Sequence, residues 1–111
     1  MRILVCGGRD YDNANYVHAE LARRKPTCVI TGGCPTGADA HAHEWARRMK
    51  VASLTFQADW VTNGKKAGPM RNQQMIDIAK ADLVLAFPGG RGTADLVKRA
   101  RKAGLPIELV P

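Results

Sequence analysis

Of 111 residues, 45% are hydrophobic and 5% aromatic, and 17 lysines and arginines against 10 acids leave a net charge of +7. Such a chain is expected to form one domain over residues 1–111 with an aliphatic, alanine-rich core; low-complexity and repeat classes are excluded. No apolar run reaches membrane-spanning length, and the stretch Ile3–Cys6 is too short for a signal peptide.

Ile3-Leu4-Val5-Cys6 reads as a buried strand ended by Gly7-Gly8. Residues 13–24 carry Ala14, Val17, Leu21 and Ala22 at helical spacing. Lys25-Pro26 stops that helix, because proline disfavours helix at the residue before it. A strand at 28–31 leads into the turn Thr31-Gly32-Gly33-Cys34-Pro35-Thr36-Gly37. The helix predicted over 36–49 places Ala38, Ala42, Trp45, Ala46 and Met49 on one face. Residues 51–56 read as a third strand and 58–69 as the longest loop. A helix over 70–80, a strand over 82–87, a helix over 92–103 and a strand over 107–110 follow.

Strands apolar on both faces, alternating with helices, predict an α/β fold: a Rossmann-like three-layer α/β/α sandwich around a five-stranded parallel sheet. In the order 3-2-1-4-5, the loops starting at Gly7, Gly32 and Pro88 converge beyond the strands' carboxyl ends, where such folds bind ligands.

Pro88-Gly89-Gly90-Arg91-Gly92-Thr93 directly follows the apolar run Leu83–Phe87. A glycine-rich turn at a helix start presents free N–H groups and the positive end of the dipole, a seat for phosphate. It lacks the Gly-Lys-Ser/Thr of a Walker loop and the position of a dinucleotide fingerprint. The turn at 31–37 repeats the device, with Thr36 placed to cap the next helix. Asp39 and Asp95, each read in the first turn of its helix, either stabilise the helix dipole or face the ligand, there to hold a ribose hydroxyl or activate water.

His41 and His43 diverge on a helix, so no metal site is expected, and no cofactor is called for; Asp39 and His43 are spaced to pair, His41 and Trp45 to stack. Arg71 and Asn72 fall at a predicted helix start after a Gly68-Pro69 turn. A cation there opposes the dipole and needs another partner: an anionic ligand, or a salt bridge to Asp39, Asp59 or Asp95. Trp60 stacks on a base or caps the core.

The odd set of cysteines, Cys6, Cys28 and Cys34, makes no disulfide framework, which predicts reduced thiols in a cytoplasmic protein without membrane contact. The charge excess sits in Arg23-Arg24-Lys25, Lys65-Lys66 and Lys98-Arg99-x-Arg101-Lys102. These runs are either solvated helix ends or a surface for polyanions.

Several segments in order resemble the SLOG superfamily of Rossmann-like domains, related to the LOG (lonely guy) and DprA/Smf proteins, and within it the small YspA-type family. They are Gly7-Gly8-Arg9-Asp10-Tyr11, Thr31-Gly32-Gly33 with Thr36-Gly37-Ala38-Asp39, Ala58-Asp59-Trp60, Gly68-Pro69-Met70-Arg71-Asn72-Gln73-Gln74-Met75, and Phe87 through Asp95. The resemblance implies a nucleotide-derived ligand, bound or hydrolysed, and a homodimer, since superfamily relatives commonly pair. LOG enzymes cleave N-glycosidic bonds of nucleoside monophosphates with a Pro-Gly-Gly-x-Gly-Thr-x-x-Glu motif and an upstream arginine. Here Arg71 matches that arginine, but the glutamate position holds Leu96, with Asp95 beside it.

The leading expectation is therefore a nucleotide-binding sensor or accessory protein, its phosphate on the 88–93 turn with help from the 31–37 turn and Arg71. The alternatives are a LOG-type phosphoribohydrolase using Asp95 or Asp39 as its acid, and a DprA-like nucleic-acid module. The basic runs lack the interleaved aromatics that stack single strands.

Overall fold

In the computed structural model, which describes residues 1–111, strands β1 (Arg2–Cys6), β2 (Cys28–Thr31), β3 (Ala52–Thr55), β4 (Leu83–Ala86) and β5 (Ile107–Leu109) form one parallel sheet. Their order is β3-β2-β1-β4-β5, as the alternation of elements predicts. The helices are α1 (Ala14–Arg24), α2 (Gly37–Met49), α3 (Trp60–Asn63), α4 (Ala67–Ile78) and α5 (Arg91–Lys102).

Successive side chains on a strand point to opposite faces, and this divides the core in two. Ile3, Val5, Val29, Leu83 and Leu85 pack under Val17, Leu21, Ala42 and Trp45 of α1 and α2. Leu4, Cys6, Ile30, Val84 and Ala86 pack under Met75, Ala79, Leu96 and Ala100 of α4 and α5. The three central strands are buried on both faces apart from Arg2 at the start of β1. β3 departs from the reading of 51–56 as a doubly buried strand: at the sheet edge its four residues are all exposed.

The segment 58–69 is not a loop throughout. The Asp59 carboxylate accepts the Thr62 N–H at 3.1 Å and caps α3, and a 3₁₀ turn over Gly64–Lys66 feeds α4. α4 begins at Ala67, so Gly68 and Pro69 lie inside its first turn rather than before it. A proline at the third helical position loses nothing, because that N–H has no helical acceptor.

Each helix runs antiparallel to the strands it connects. Helix N-termini therefore gather at the sheet's carboxyl edge and helix C-termini at its amino edge.

Candidate ligand cavity

Beyond the carboxyl ends of β1 and β4 lies a cavity of about 790 Å³. Its walls are the loop Gly7–Tyr11, Gly32 and Cys34 after β2, the turn Pro88–Thr93, and Arg71 and Asn72 from α4; Val5, Cys6, Asp39, Met75 and Leu96 complete it. The three loops thus converge as the strand order requires. Of the residues expected at the site, Thr31, Gly33, Thr36, Gly37, Asp59, Trp60 and Asp95 do not line the cavity. Val5, Cys6, Asp10, Tyr11, Cys34, Met75 and Leu96 line it without having been singled out for that role; all but Met75 and Leu96 lie in or beside the glycine segments that signalled the site.

The start of α5 is open. Gly90 occupies the N-cap with no side-chain cap, and the first helical bond runs from Ala94 N–H to Gly90 O at 3.0 Å. The N–H groups of Arg91, Gly92 and Thr93 consequently lack helical acceptors. Gly89 is required for close approach: a Cβ there would strike the Thr93 hydroxyl and the Gly8 nitrogen.

Arg71 reaches the cavity from the fifth position of α4, one turn in from the helix start, because α4 begins earlier than the Gly-Pro pair suggests. Its guanidinium donates to Gly32 O at 2.6 Å and to Asn72 Oδ1 at 3.0 Å. Neither Asp39, Asp59 nor Asp95 forms a salt bridge with it; Arg9, Arg71 and Arg91 enter none of the ion pairs. Three guanidinium groups thus border the cavity without a carboxylate partner.

Asn72, only 3% exposed, fixes this arrangement. Its amide donates to Gly92 O at 3.2 Å and to Asp95 Oδ2 at 3.0 Å, tying α4 to the start of α5. Asp95 is the fifth residue of α5, past the first turn, and its carboxylate also accepts from Arg99 Nε at 2.8 Å. Burial pushes the Asp95 carboxyl up, but the Arg99 and Asn72 hydrogen bonds outweigh it and hold it below the usual range. Asp95 therefore braces two helices and stands outside the cavity, whereas Leu96 contributes an apolar side chain to the wall.

The 31–37 turn differs from the one at 88–93. Its donors are already engaged: Asp39 accepts from Cys34 N–H at 3.3 Å and from the Gly32 backbone, and Thr31 Oγ1 accepts from Gly33 N–H at 3.2 Å. An internal carboxylate occupies the place where an anion was expected. Burial raises the Asp39 carboxyl above its ordinary range, despite those bonds and the nearby Arg71 charge. Thr36 is the N-cap of α2 but makes no capping bond. Asp39 does not pair with His43, and His41 Nε2 lies 2.9 Å from Tyr11 O.

Trp60 lies over Gly68, where an added Cβ would come within 3.1 Å of its ring. Cys6 is buried in the cavity wall, and burial together with the Asp39 charge pushes its thiol up to about 12. In the native protein at pH 7.5, maleimide is expected to modify Cys34, which is half-buried at the rim, and to leave Cys6 and Cys28 untouched until denaturation. Intact-mass spectrometry counts the adducts; a second rapid native adduct contradicts the expectation.

Residues 1–62 match the model of the YspA, cpYpsA-related SLOG family. The Gene 61 protein of Mycobacterium phage D29 is 39% identical over 117 aligned residues, covering 96% of this chain and 93% of that protein. Two solved structures share the fold. The molybdenum cofactor binding protein from the phototrophic bacterium Rippkaea orientalis superposes with a TM-score of 0.74 at 23% identity, over 97% of this chain and 74% of its own. The Moco Carrier Protein from Chlamydomonas reinhardtii gives 0.63 at 18% identity, over 98% and 75%.

Proposed function

The chain belongs to the YspA, cpYpsA-related SLOG family, and from that premise we propose that it binds a nucleotide or nucleotide-derived phosphorylated ligand as a sensor or accessory protein. The observation that carries this reading is Arg71, facing the cavity with no carboxylate partner while the first N–H groups of α5 stand uncapped beside it. A phosphate there would accept hydrogen bonds from the guanidinium and the helix start together. About 790 Å³ leaves room for the sugar and base along the Gly7–Tyr11 loop. The two fold neighbours named for molybdenum cofactor support the use of this architecture for a small ligand. Free thiols at all three cysteines fit a cytoplasmic setting.

Binding without LOG-type hydrolysis is the form these positions favour. Leu96 stands where that motif places its glutamate, and Asp95 is held by Asn72 and Arg99. One observation keeps a hydrolytic reading in view: Asp39 lines the cavity with a raised pKa, as a general acid requires. Asp39→Asn separates the two. As a mere binder, the variant loses a repelling charge and should hold anions roughly threefold to tenfold more tightly, about 1 kcal/mol.

The pH sign follows. An anion of fixed charge such as sulfate should bind wild type better as pH falls through the raised Asp39 titration, while the Asn variant stays flat. Calorimetric titration checks both, and mass spectrometry of small molecules retained on purification identifies the ligand. Release of free base that Asp39→Asn abolishes without weakening binding establishes the enzyme instead.

A further inference from the structure

The end of the sheet opposite the cavity carries a charge pattern that the ligand does not use. The non-glycine residues with positive φ are all lysines: Lys25 at 51°, Lys50 at 56° and Lys80 at 53°. Lys25 and Lys50 cap α1 and α2, and Lys80 follows the Ala79 cap of α4; all three take the left-handed conformation, where glycine is the least strained occupant. The helix dipole accounts for arginines in a last turn, but it does not require a side chain at the strained residue itself.

The crossovers bring these helix ends to one edge of the sheet, those of α1 and α2 from one face and those of α4 and α5 from the other. Along the sheet order, Lys50 lies before β3, Lys25 before β2, Arg2 at the start of β1, Lys80 before β4 and Lys102 before β5. At about 4.8 Å per strand, five strands span roughly 19 Å. Lys25, Arg48, Lys50, Lys80, Arg101 and Lys102 are exposed, and none enters an ion pair. Of the acids at this end, Glu20 pairs with Arg23 and Arg24 and Glu44 with Arg47, whereas Asp77 accepts from the Gln73 amide and Asp82 from the Arg2 backbone N–H, fewer than the unpaired cations around them.

We propose that this amino edge of the sheet is a docking surface for the phosphodiester backbone of duplex nucleic acid, held without sequence preference and independently of the cavity. A set of unpaired cations on rigid helix ends suits a duplex, whose charge is dense and regular. These positions carry no aromatic side chain on which single-stranded bases could stack or a lipid interface could anchor; exposed Trp60 follows β3 at the opposite edge. The net charge of +7 adds long-range attraction in the same sense.

The test measures fluorescence anisotropy of a labelled 24-base-pair mixed-sequence DNA duplex with the full chain over a potassium chloride series. Contacts to about four phosphates give a slope of log affinity against log salt near −4. The triple variant Lys25→Gly, Lys50→Gly, Lys80→Gly should melt at or above the wild-type temperature, since glycine relieves positive φ, yet bind the duplex at least tenfold more weakly, with a slope shallower by about 3. The corresponding triple glutamine variant, which keeps a long side chain at each site, should lose as much affinity. Arg71→Gln should bind the duplex as wild type does. The proposal is overturned if either triple variant retains wild-type affinity, if Arg71→Gln abolishes duplex binding, or if the chain binds phosphatidylserine vesicles and not the duplex.

Discussion

Gly37→Ala is expected to lower stability by about 3 kcal/mol or more, and the melting temperature by roughly 12–20 °C. Gly37 opens α2 at φ 74°, where a side chain is strained. Its missing Cβ also points at the Gly8 carbonyl and the backbone of Arg9. That backbone has little freedom to retreat. Gly8 O accepts from Tyr11 N–H at 3.1 Å and Ala38 N–H at 3.3 Å, while Gly8 N–H donates to Pro88 O at 2.8 Å. Relief of the clash must therefore move the loops that wall the cavity, and ligand affinity should fall together with stability. Gly92→Ala is the matched control: its Cβ meets nothing within 4 Å, and its φ is not positive. Circular dichroism melts of the two variants decide the matter; a Gly37→Ala transition within 5 °C of wild type would show that the loops yield more easily than their hydrogen bonds suggest.

The same loop contacts explain which features were legible in the sequence. β1, β2 and β4 are continuous apolar runs, and burial on both faces leaves no other reading for them in a parallel sheet. Their order then brings the three glycine segments to one place. What the sequence left open depends on groups distant along the chain. Arg71 bonds the Gly32 carbonyl 39 residues away, and Asn72 bonds Asp95 across 23 residues. No local spacing distinguishes an aspartate that braces a neighbouring helix from one that faces a ligand. Nor does the motif distinguish glycines that bind from glycines that pack. Gly7 and Gly37 are small because Ala38 and the Gly8–Arg9 backbone press against them, while Gly90 and Gly92 border open space. The two turns look alike in sequence, yet Asp39 engages the donors of one and leaves the other open.

Arg71→Gln should weaken binding of a nucleoside monophosphate by about 10- to 100-fold, the worth of a charged hydrogen bond at roughly 1.5–3 kcal/mol. Two effects of the substitution must be separated. Arg71 also donates to Gly32 O and to Asn72 Oδ1, so its loss loosens the wall as well as removing charge. A loosened wall harms nucleoside and nucleotide alike, whereas a lost phosphate contact harms only the nucleotide. Calorimetry with AMP and adenosine on both proteins therefore forms a cycle whose coupling isolates the phosphate. The expected result is a large loss for AMP and little change for adenosine, with the salt dependence of AMP binding reduced. Arg71→Lys should fall between, keeping the charge but not the planar fork that reaches Gly32 and a phosphate together. Equal losses for AMP and adenosine would reduce Arg71 to a structural brace, and the uncapped start of α5 would then have to hold the phosphate without it.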